Sequence, residues 1–528
     1  MAIDISFHPM TRRLAQMLVY ISAPGWLGHG LAFLAGLLFA FGFAPYHLWP
    51  ISIISLMLYA LGHRQLTPKQ ACARGFWFGL GQFGHGVSWV YVSVHDYAYL
   101  SVPLAASLTL AFVAIFACFT MLQSYCYVKL RLNQSVILGL PTIWVLFEWA
   151  RLWLFTGFPW LYLGYVFTGT FLANAWAPLL GVLGLSFFSA LIASLLVMCV
   201  QSLSWEITRR YLGLLFLLLG ATIGLSFIPW TAIDQHRSPL NIVLVQGNIS
   251  QDLKWLAENR LPTLKKYYAL SQKALLAPIK PDLIVWPEAA IPTFYQESWG
   301  YIDQVDILMS TYKAIWVFGI SSFHPKQNHF EFNNSIVALG AGQGIYHKQK
   351  LVPFGEYFPL SQWFGKWLPF LNIPMSGFAP GPEAQFPLMG QGVRFAPFIC
   401  YEILYPDFVR HYAQGNDFLL TISNDAWFGH SIAADQHFEM ARMRAIENGK
   451  YLIRSTNTGI TGIVDFRGRV VAQAPSFVTT TLTGRVYFTQ GRTPFSHWGQ
   501  LPILLGCFVL LLIFIMQEKK RPTSSENK

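Results

Sequence analysis

Cys400 closes an apolar run, Val393–Ile399, and is followed by Tyr401-Glu402 and a helical pattern from Ile403. A turn between strand and helix exposes a side chain and rings it with backbone N–H groups, which favour a thiolate and can hold an oxyanion. The bland alternative is a small buried hydrophobe. Glu288 follows a second strand-like run, 283–286, in Trp286-Pro287-Glu288. Apolar neighbours there can raise a carboxyl pKa until the group works as a general base, against the alternative of a solvated loop charge. Lys348 and Lys350 follow a third strand. An ammonium fixed beside a cysteine lowers the thiol pKa and stabilises the oxyanion of a tetrahedral intermediate. That chemistry alone does not separate the two lysines.

These residues share one polar block, 231–497. Runs at 242–246, 283–286, 315–320, 335–339, Val393–Ile399, 418–422 and 451–454 are rich in Val, Ile and Phe and read as buried strands. Helical patterns at 261–276 and 436–448 lie among them, and 464–471 turns at Arg467-Gly468 as a hairpin. The alternation predicts a layered α/β sandwich.

The rest of the chain is different. Of 528 residues, 54% are hydrophobic and only 12% charged, against a usual charged share of about 25%. Disorder, a collagen-like rod and a plain cytosolic enzyme are excluded. Apolar runs near 25–43, 48–62, 75–95, 101–128, 135–155, 176–200, 211–230 and 498–516 predict a polytopic α-helical bundle of about eight spans. The domains expected are therefore a membrane part at 1–230, the polar block at 231–497, and a last span with a basic tail at 498–528. Arg12 and Arg13, the 64–74 loop with Arg74, Lys129 with Arg131, Arg209 with Arg210, and the tail bases all fall on one side of such a bundle. Cytoplasmic loops retain lysine and arginine, so that side is cytoplasmic and the polar block lies outside. The net charge of +11 is then largely a topology signal, and nucleic acid is not expected as a partner. Five of six cysteines lie in or beside apolar runs, leaving Cys400 alone in the polar block, where it can form no disulfide of its own.

The order Glu288, Lys348, Cys400 on successive strand ends resembles the nitrilase, or carbon–nitrogen hydrolase, superfamily. The resemblance is closer to its membrane-bound branch, apolipoprotein N-acyltransferase. It is carried by 245–249 with Lys254-Trp255, Trp286-Pro287-Glu288, 351–356, Cys400-Tyr401-Glu402, 423–428 and 456–459, and in the membrane part by Phe147-Glu148-Trp149 and 156–160. The resemblance implies an αββα sandwich and selects Lys348 over Lys350. It implies supporting roles for Glu356 and Glu402, orienting the lysine and stabilising the site, and pocket roles for Asn334, Tyr401, Trp255 and Trp427. It further implies a ping-pong acyl transfer from a membrane phospholipid, through a Cys400 thioester, to the N-terminal diacylglyceryl-cysteine of an apolipoprotein. The implied setting is a bacterial inner membrane with the catalytic domain on the periplasmic face, the bilayer itself being a partner. The chemistry needs no cofactor. A hydrolase using water as acceptor, and a nitrilase-like relic that only binds, remain the rival readings.

Two features face the membrane. Residues 357–380 are crowded with aromatics and read as an interfacial lid beside Glu356, or as a satellite core. Glu148 and Arg151, three apart on one helical face, can pair, either as a headgroup site or as a structural ion pair. The histidines, including His324, His329, His430 and His437, show no metal spacing, so no metal is expected.

Overall fold

The computed structural model describes residues 20–154, 157–202, 204–326, 330–357 and 377–519. Eight helices stand where apolar runs predict them: α1 (Trp26–Phe39), α2 (Trp49–Gly62), α3 (Pro68–Gly86), α4 (Val102–Lys129), α5 (Val136–Ala150), α6 (Phe171–Gln201), α7 (Trp205–Ser226) and, after the polar block, a last helix, Leu501–Lys519. Four of them, α4, α6, α7 and the last, are long and apolar enough to cross a membrane. The 14 residues of α1 and of α2 rise only about 21 Å, short of a hydrocarbon core of about 30 Å. Counting apolar residues therefore finds the helices but overstates how many cross unaided.

Glycine lets α1 and α3 touch backbone to backbone. A Cβ on Gly36 would strike the Phe78 carbonyl, and one on Gly81 would strike that of Phe33; small residues at such contacts are how helices pack tightly without a hydrophobic drive. Arg74, expected in a loop, lies in the second turn of α3. It is buried and donates to the carbonyls of Ile21, Gly62 and Ala23 at 2.6–2.8 Å, closing helix-end acceptors that would otherwise be orphaned.

The polar block folds as the expected sandwich. The strands along its main sheet path are β1 (Leu240–Gln246), β2 (Leu283–Val285), β3 (Ile315–Pro325), β4 (Phe330–Gly340), β5 (Gly342–His347), β6 (Leu388–Gly390), β7 (Val393–Ile399), β8 (Phe418–Ser423), β9 (Leu452–Thr456), β10 (Gly462–Val464), β11 (Val470–Gln473) and β12 (Thr480–Val486). They hydrogen-bond in the order β11-β10-β9-β8-β7-β6-β5-β4-β3-β2-β1-β12. Each half holds a parallel trio, β1-β2-β3 and β7-β8-β9. Antiparallel β5–β6 pairing joins the halves into one sheet, which doubles over so that Ser455 on β9 reaches the carbonyls of Val245 and Val285.

Alternation sorts the core, because successive strand residues face opposite sides. Ile242, Leu244, Leu283, Val285, Ile315 and Val317 pack inward with Phe395, Ile399 and Ile422. Val243, Val245, Ile284, Trp286, Trp316 and Phe318 face outward onto α8 (Ala257–Leu275) and α9 (Trp299–Thr311). The other outer face is covered by α10 (Ala433–Asn448), which is buried along most of its length.

The sandwich sits on the end of the bundle away from the basic loops. Ser93 donates to the Trp427 carbonyl at 2.8 Å, Tyr99 to Asp252 at 2.7 Å, and Trp160 Nε1 to Gln436 at 2.6 Å. At the other end, Arg131 meets Glu518 at 3.6 Å. Helix α6 breaks at Gly181, where φ is 69°. The break frees the Val182 N–H, which donates to Glu447 on α10 at 2.8 Å.

Candidate active site

Three strand ends bring Glu288, Lys348 and Cys400 together. Glu288 lies just beyond β2, Lys348 just beyond β5 and Cys400 just beyond β7; β2 and β7 belong to the parallel trios, whose carboxyl ends are the usual place for a site, while β5 is antiparallel to both its neighbours. Gly319 on β3 lets the Glu288 turn come close, since a Cβ there would lie 2.7 Å from the Glu288 Cα.

Glu288 and Lys348 are buried, at 8% and 1% exposure. Lys348 Nζ is 2.8 Å from Glu356 Oε1 and 3.8 Å from Glu288 Oε1. The Asn334 amide donates to both carboxylates, at 2.7 Å to Glu288 and 3.1 Å to Glu356. The Asn424 N–H holds the second Glu288 oxygen at 2.7 Å. Burial and the neighbouring Glu356 push the Glu288 carboxyl above its ordinary range, against the pull of Lys348. For Lys348, burial alone would lower the pKa, but Glu356, Glu288 and Cys400 together hold it above the usual lysine value. The lysine is a permanent cation, and the glutamate is a base able to keep a proton.

Cys400 is partly exposed and sits at φ 53°. A left-handed backbone at a residue with a Cβ costs about 1–3 kcal/mol and recurs at functional turns. Burial and Glu288 push its thiol up to about 12, while Lys348 and a hydrogen bond with Ser423 pull the other way. Cys400 at rest is therefore a thiol rather than a thiolate. The segment after it is a 3₁₀ turn, Cys400–Leu404. The expected helix from Ile403 begins instead at Pro406, which fixes φ for a first helical turn.

The supporting residues divide. Glu356 holds the lysine directly and is itself held by the Val352 N–H at 2.8 Å. Glu402, expected to orient the lysine, does so through backbone. Its carboxylate takes N–H bonds from Gln349, Lys350 and Ile399 and the Tyr346 hydroxyl, at 2.6–3.1 Å. It thus ties the ends of β5 and β7 together, although burial pushes its carboxyl up to about 7. Tyr401 donates to the Gly157 carbonyl of the membrane part at 2.9 Å. Trp427 packs edge-on against Tyr97, and Trp255 is 39% exposed beside the site. Lys350 lies over the rings of Tyr405 and Phe408.

Glu148 and Arg151 do not pair as expected. Helix α5 ends at Ala150 and the chain folds back, so Glu148 accepts from Trp144 Nε1 and the Leu163 N–H at 2.9 and 2.6 Å. Arg151 donates to the Trp160 carbonyl at 2.9 Å and lies over Phe83 and Tyr162. Both are buried, and none of these partners is a member of the triad. The expected lid falls largely on 358–376, outside the described residues; its flanks meet the site, with the Phe378 N–H donating to the Glu356 carbonyl at 3.1 Å.

Lys254 was legible only as part of a string. It is 1% exposed, and its ammonium donates to the Glu288 carbonyl at 3.1 Å. Burial lowers it to about 8 although Glu288 opposes this. Asp425, Arg454 and His437 form a buried cluster behind Cys400. Asp425 was legible only as part of the 423–428 string, and Arg454 and His437 carried no sequence signal of such a cluster, because the three act on each other and on backbone. Among the described residues, no three His, Cys, Asp or Glu side chains converge to hold a metal ion.

Comparisons place this arrangement. The model of the apolipoprotein N-acyltransferase N-terminal domain matches residues 35–195, and the carbon–nitrogen hydrolase model matches 241–491. The chain is 40% identical over 511 residues to the apolipoprotein N-acyltransferase of Pseudomonas paraeruginosa, covering 95% of this chain and 98% of that protein. It is 42% identical over 505 residues to that of Azotobacter vinelandii, covering 93% and 95%. With that of Coxiella burnetii it shares 37% over 489 residues, covering 92% and 98%.

Proposed function

The chain belongs to the apolipoprotein N-acyltransferase family, and on that premise we propose that it carries an acyl chain from a membrane phospholipid, through a thioester on Cys400, to the N-terminal amine of a diacylglyceryl-cysteine in an apolipoprotein. The observation that carries the reading is the convergence of a base, a fixed cation and a thiol from three strand ends.

In the first half-reaction Glu288 takes the Cys400 proton as the sulfur attacks the ester carbonyl. Lys348 faces the negative charge that develops on the carbonyl oxygen. The tetrahedral intermediate collapses, the glycerol oxygen leaves with the proton from Glu288, and a lysophospholipid departs. In the second half the acceptor amine attacks the thioester, Glu288 removes its proton, and the Cys400 thiolate leaves and is reprotonated. The product is an amide. The elevated Glu288 carboxyl suits a group that must accept and return a proton in both halves.

The expected placement follows the same logic. Residues 231–497 act on the periplasmic face of the inner membrane, with 1–230 and 498–528 as the membrane parts. Supporting this, the sandwich rests on loops poor in lysine and arginine, while Arg131 and Glu518 meet at the far end. Both substrates are lipid-anchored and reach such a site by lateral diffusion.

The test is intact mass spectrometry of the purified full chain incubated with phosphatidylethanolamine alone, for wild type, Cys400→Ala and Lys348→Ala. The expected result is one added acyl chain on wild type only, discharged by a diacylated lipopeptide. An adduct that persists in Cys400→Ala removes the thioester, and an adduct lost to water alone makes the protein a hydrolase.

A further inference from the structure

The backbone of Cys400 leaves its strand in a left-handed conformation, with φ at 53°, and its carbonyl turns toward α10. There His437 Nε2 lies 3.2 Å from that oxygen. The other ring nitrogen is 3.1 Å from Arg454 Nη2 and 3.3 Å from Asp425 Oδ1. A guanidinium only donates, so Nδ1 accepts from Arg454 and the hydrogen stands on Nε2, aimed at the Cys400 carbonyl. Arg454 is in turn fixed on Asp425 Oδ2 at 2.8 Å, and Asp425 takes the Ser423 hydroxyl at 2.6 Å. His437, Asp425 and Arg454 are all within 1% of complete burial. Burial and Arg454 also hold the imidazole below its ordinary pKa, keeping it neutral.

We propose that His437 is a positioning residue for acyl transfer, fixing the sulfur of Cys400 by holding that residue's carbonyl in the strained turn. The inference rests on the thioester reading above. A carbonyl left free in a strained turn lets the peptide relax, and the sulfur moves with it. A displacement of about 1 Å at a reacting atom can cost roughly 10²-fold in rate. The membrane part braces the same helix, because Trp160 Nε1 bonds Gln436, the residue before His437.

The experiment is single-turnover acylation of the detergent-solubilised full chain by phosphatidylethanolamine, followed by intact mass, for wild type, His437→Gln and His437→Leu. Amplitude counts competent enzyme, and the rate constant reports the placement of the sulfur. Glutamine keeps an N–H donor near the Nε2 position and is expected to acylate close to the wild-type rate. Leucine is expected to reach full amplitude with a rate constant lower by roughly 10²-fold. If His437→Leu does not fold, His437→Asn, whose shorter amide cannot reach the carbonyl, is expected to show the same slow rate. Unchanged rate constants overturn the proposal. So does a loss confined to amplitude, which would make His437 a part of the scaffold only. No adduct on wild type overturns the thioester reading itself, and this proposal with it.

Discussion

Tyr401, the residue after the candidate nucleophile, donates its hydroxyl to the carbonyl of Gly157 in the membrane part at 2.9 Å, across 244 residues of chain. The turn that presents Cys400 is therefore anchored on both sides, by α10 within the sandwich and by a loop of the bundle. Tyr401→Phe removes that bond and leaves a buried carbonyl unpaired, a loss of about 1–3 kcal/mol. The expected outcome is a folded protein melting a few degrees lower with acyl transfer reduced about tenfold, measured by thermal melting in detergent beside kcat and KM. Wild-type kcat in Tyr401→Phe would show that the anchor is not used in turnover.

The acid limb of the pH–rate profile should follow Glu288, which must be ionised to accept the thiol proton. Its carboxyl is held above the ordinary range by burial and Glu356 and drawn down by Lys348 and Lys254. Lys254→Met removes a nearby positive charge, so the limb is expected to move to higher pH. Glu356→Gln removes a nearby negative charge, so it is expected to move to lower pH. Profiles of kcat/KM for the three proteins check both directions, and shifts of the same sign would take the limb away from Glu288.

The thiol gives a second pair of opposite signs. Glu288 raises the Cys400 pKa and Lys348 lowers it. Iodoacetamide alkylation at one fixed pH is expected to quicken in Glu288→Gln and slow in Lys348→Met, by roughly tenfold in each direction for charges within a few ångströms. Peptide mapping of the alkylated residue separates Cys400 from the other five cysteines.

Glu402 is expected to act on shape rather than on protons. Glu402→Gln keeps an acceptor for the N–H groups of Gln349 and Lys350 but turns an amide toward the Ile399 N–H, donor against donor. A buried N–H left this way costs about 1–3 kcal/mol. Lower melting with the acid limb unmoved is the expected result. A displaced limb with unchanged melting would instead make Glu402 part of the proton path.

Much of this site was legible because strand and chemistry coincide. Glu288 and Cys400 each end a short run rich in Val, Ile and Phe, which marks a strand buried on both faces without knowledge of its neighbours, whereas the strand before Lys348, Gly342–His347, is largely polar and the lysine was legible only from the string around it. What stayed hidden depends on partners far away in the chain. The spacing of Glu148 and Arg151 suggests a pair, but α5 stops at Ala150 and offers both side chains backbone partners from the returning loop. His437 shows nothing in a search for metal spacing, because its partner is the carbonyl of a residue 37 positions earlier. The length of α1 was hidden for a different reason, since apolar composition continues through the 3₁₀ turn Ala40–Gly42 where the α-helix does not.

The break in α6 at Gly181 has a mechanical consequence. The freed Val182 N–H is taken by Glu447 on α10, the helix that also carries Gln436 and His437, and a side chain at Gly181 would collide with Phe495. One rigid rod therefore touches the bundle at both its ends and the Cys400 turn near its start. The height of the sulfur over the end of the bundle is set like a depth gauge clamped at two points. On the acyl-transfer reading proposed above, the donor ester must rise or sink to that level to react.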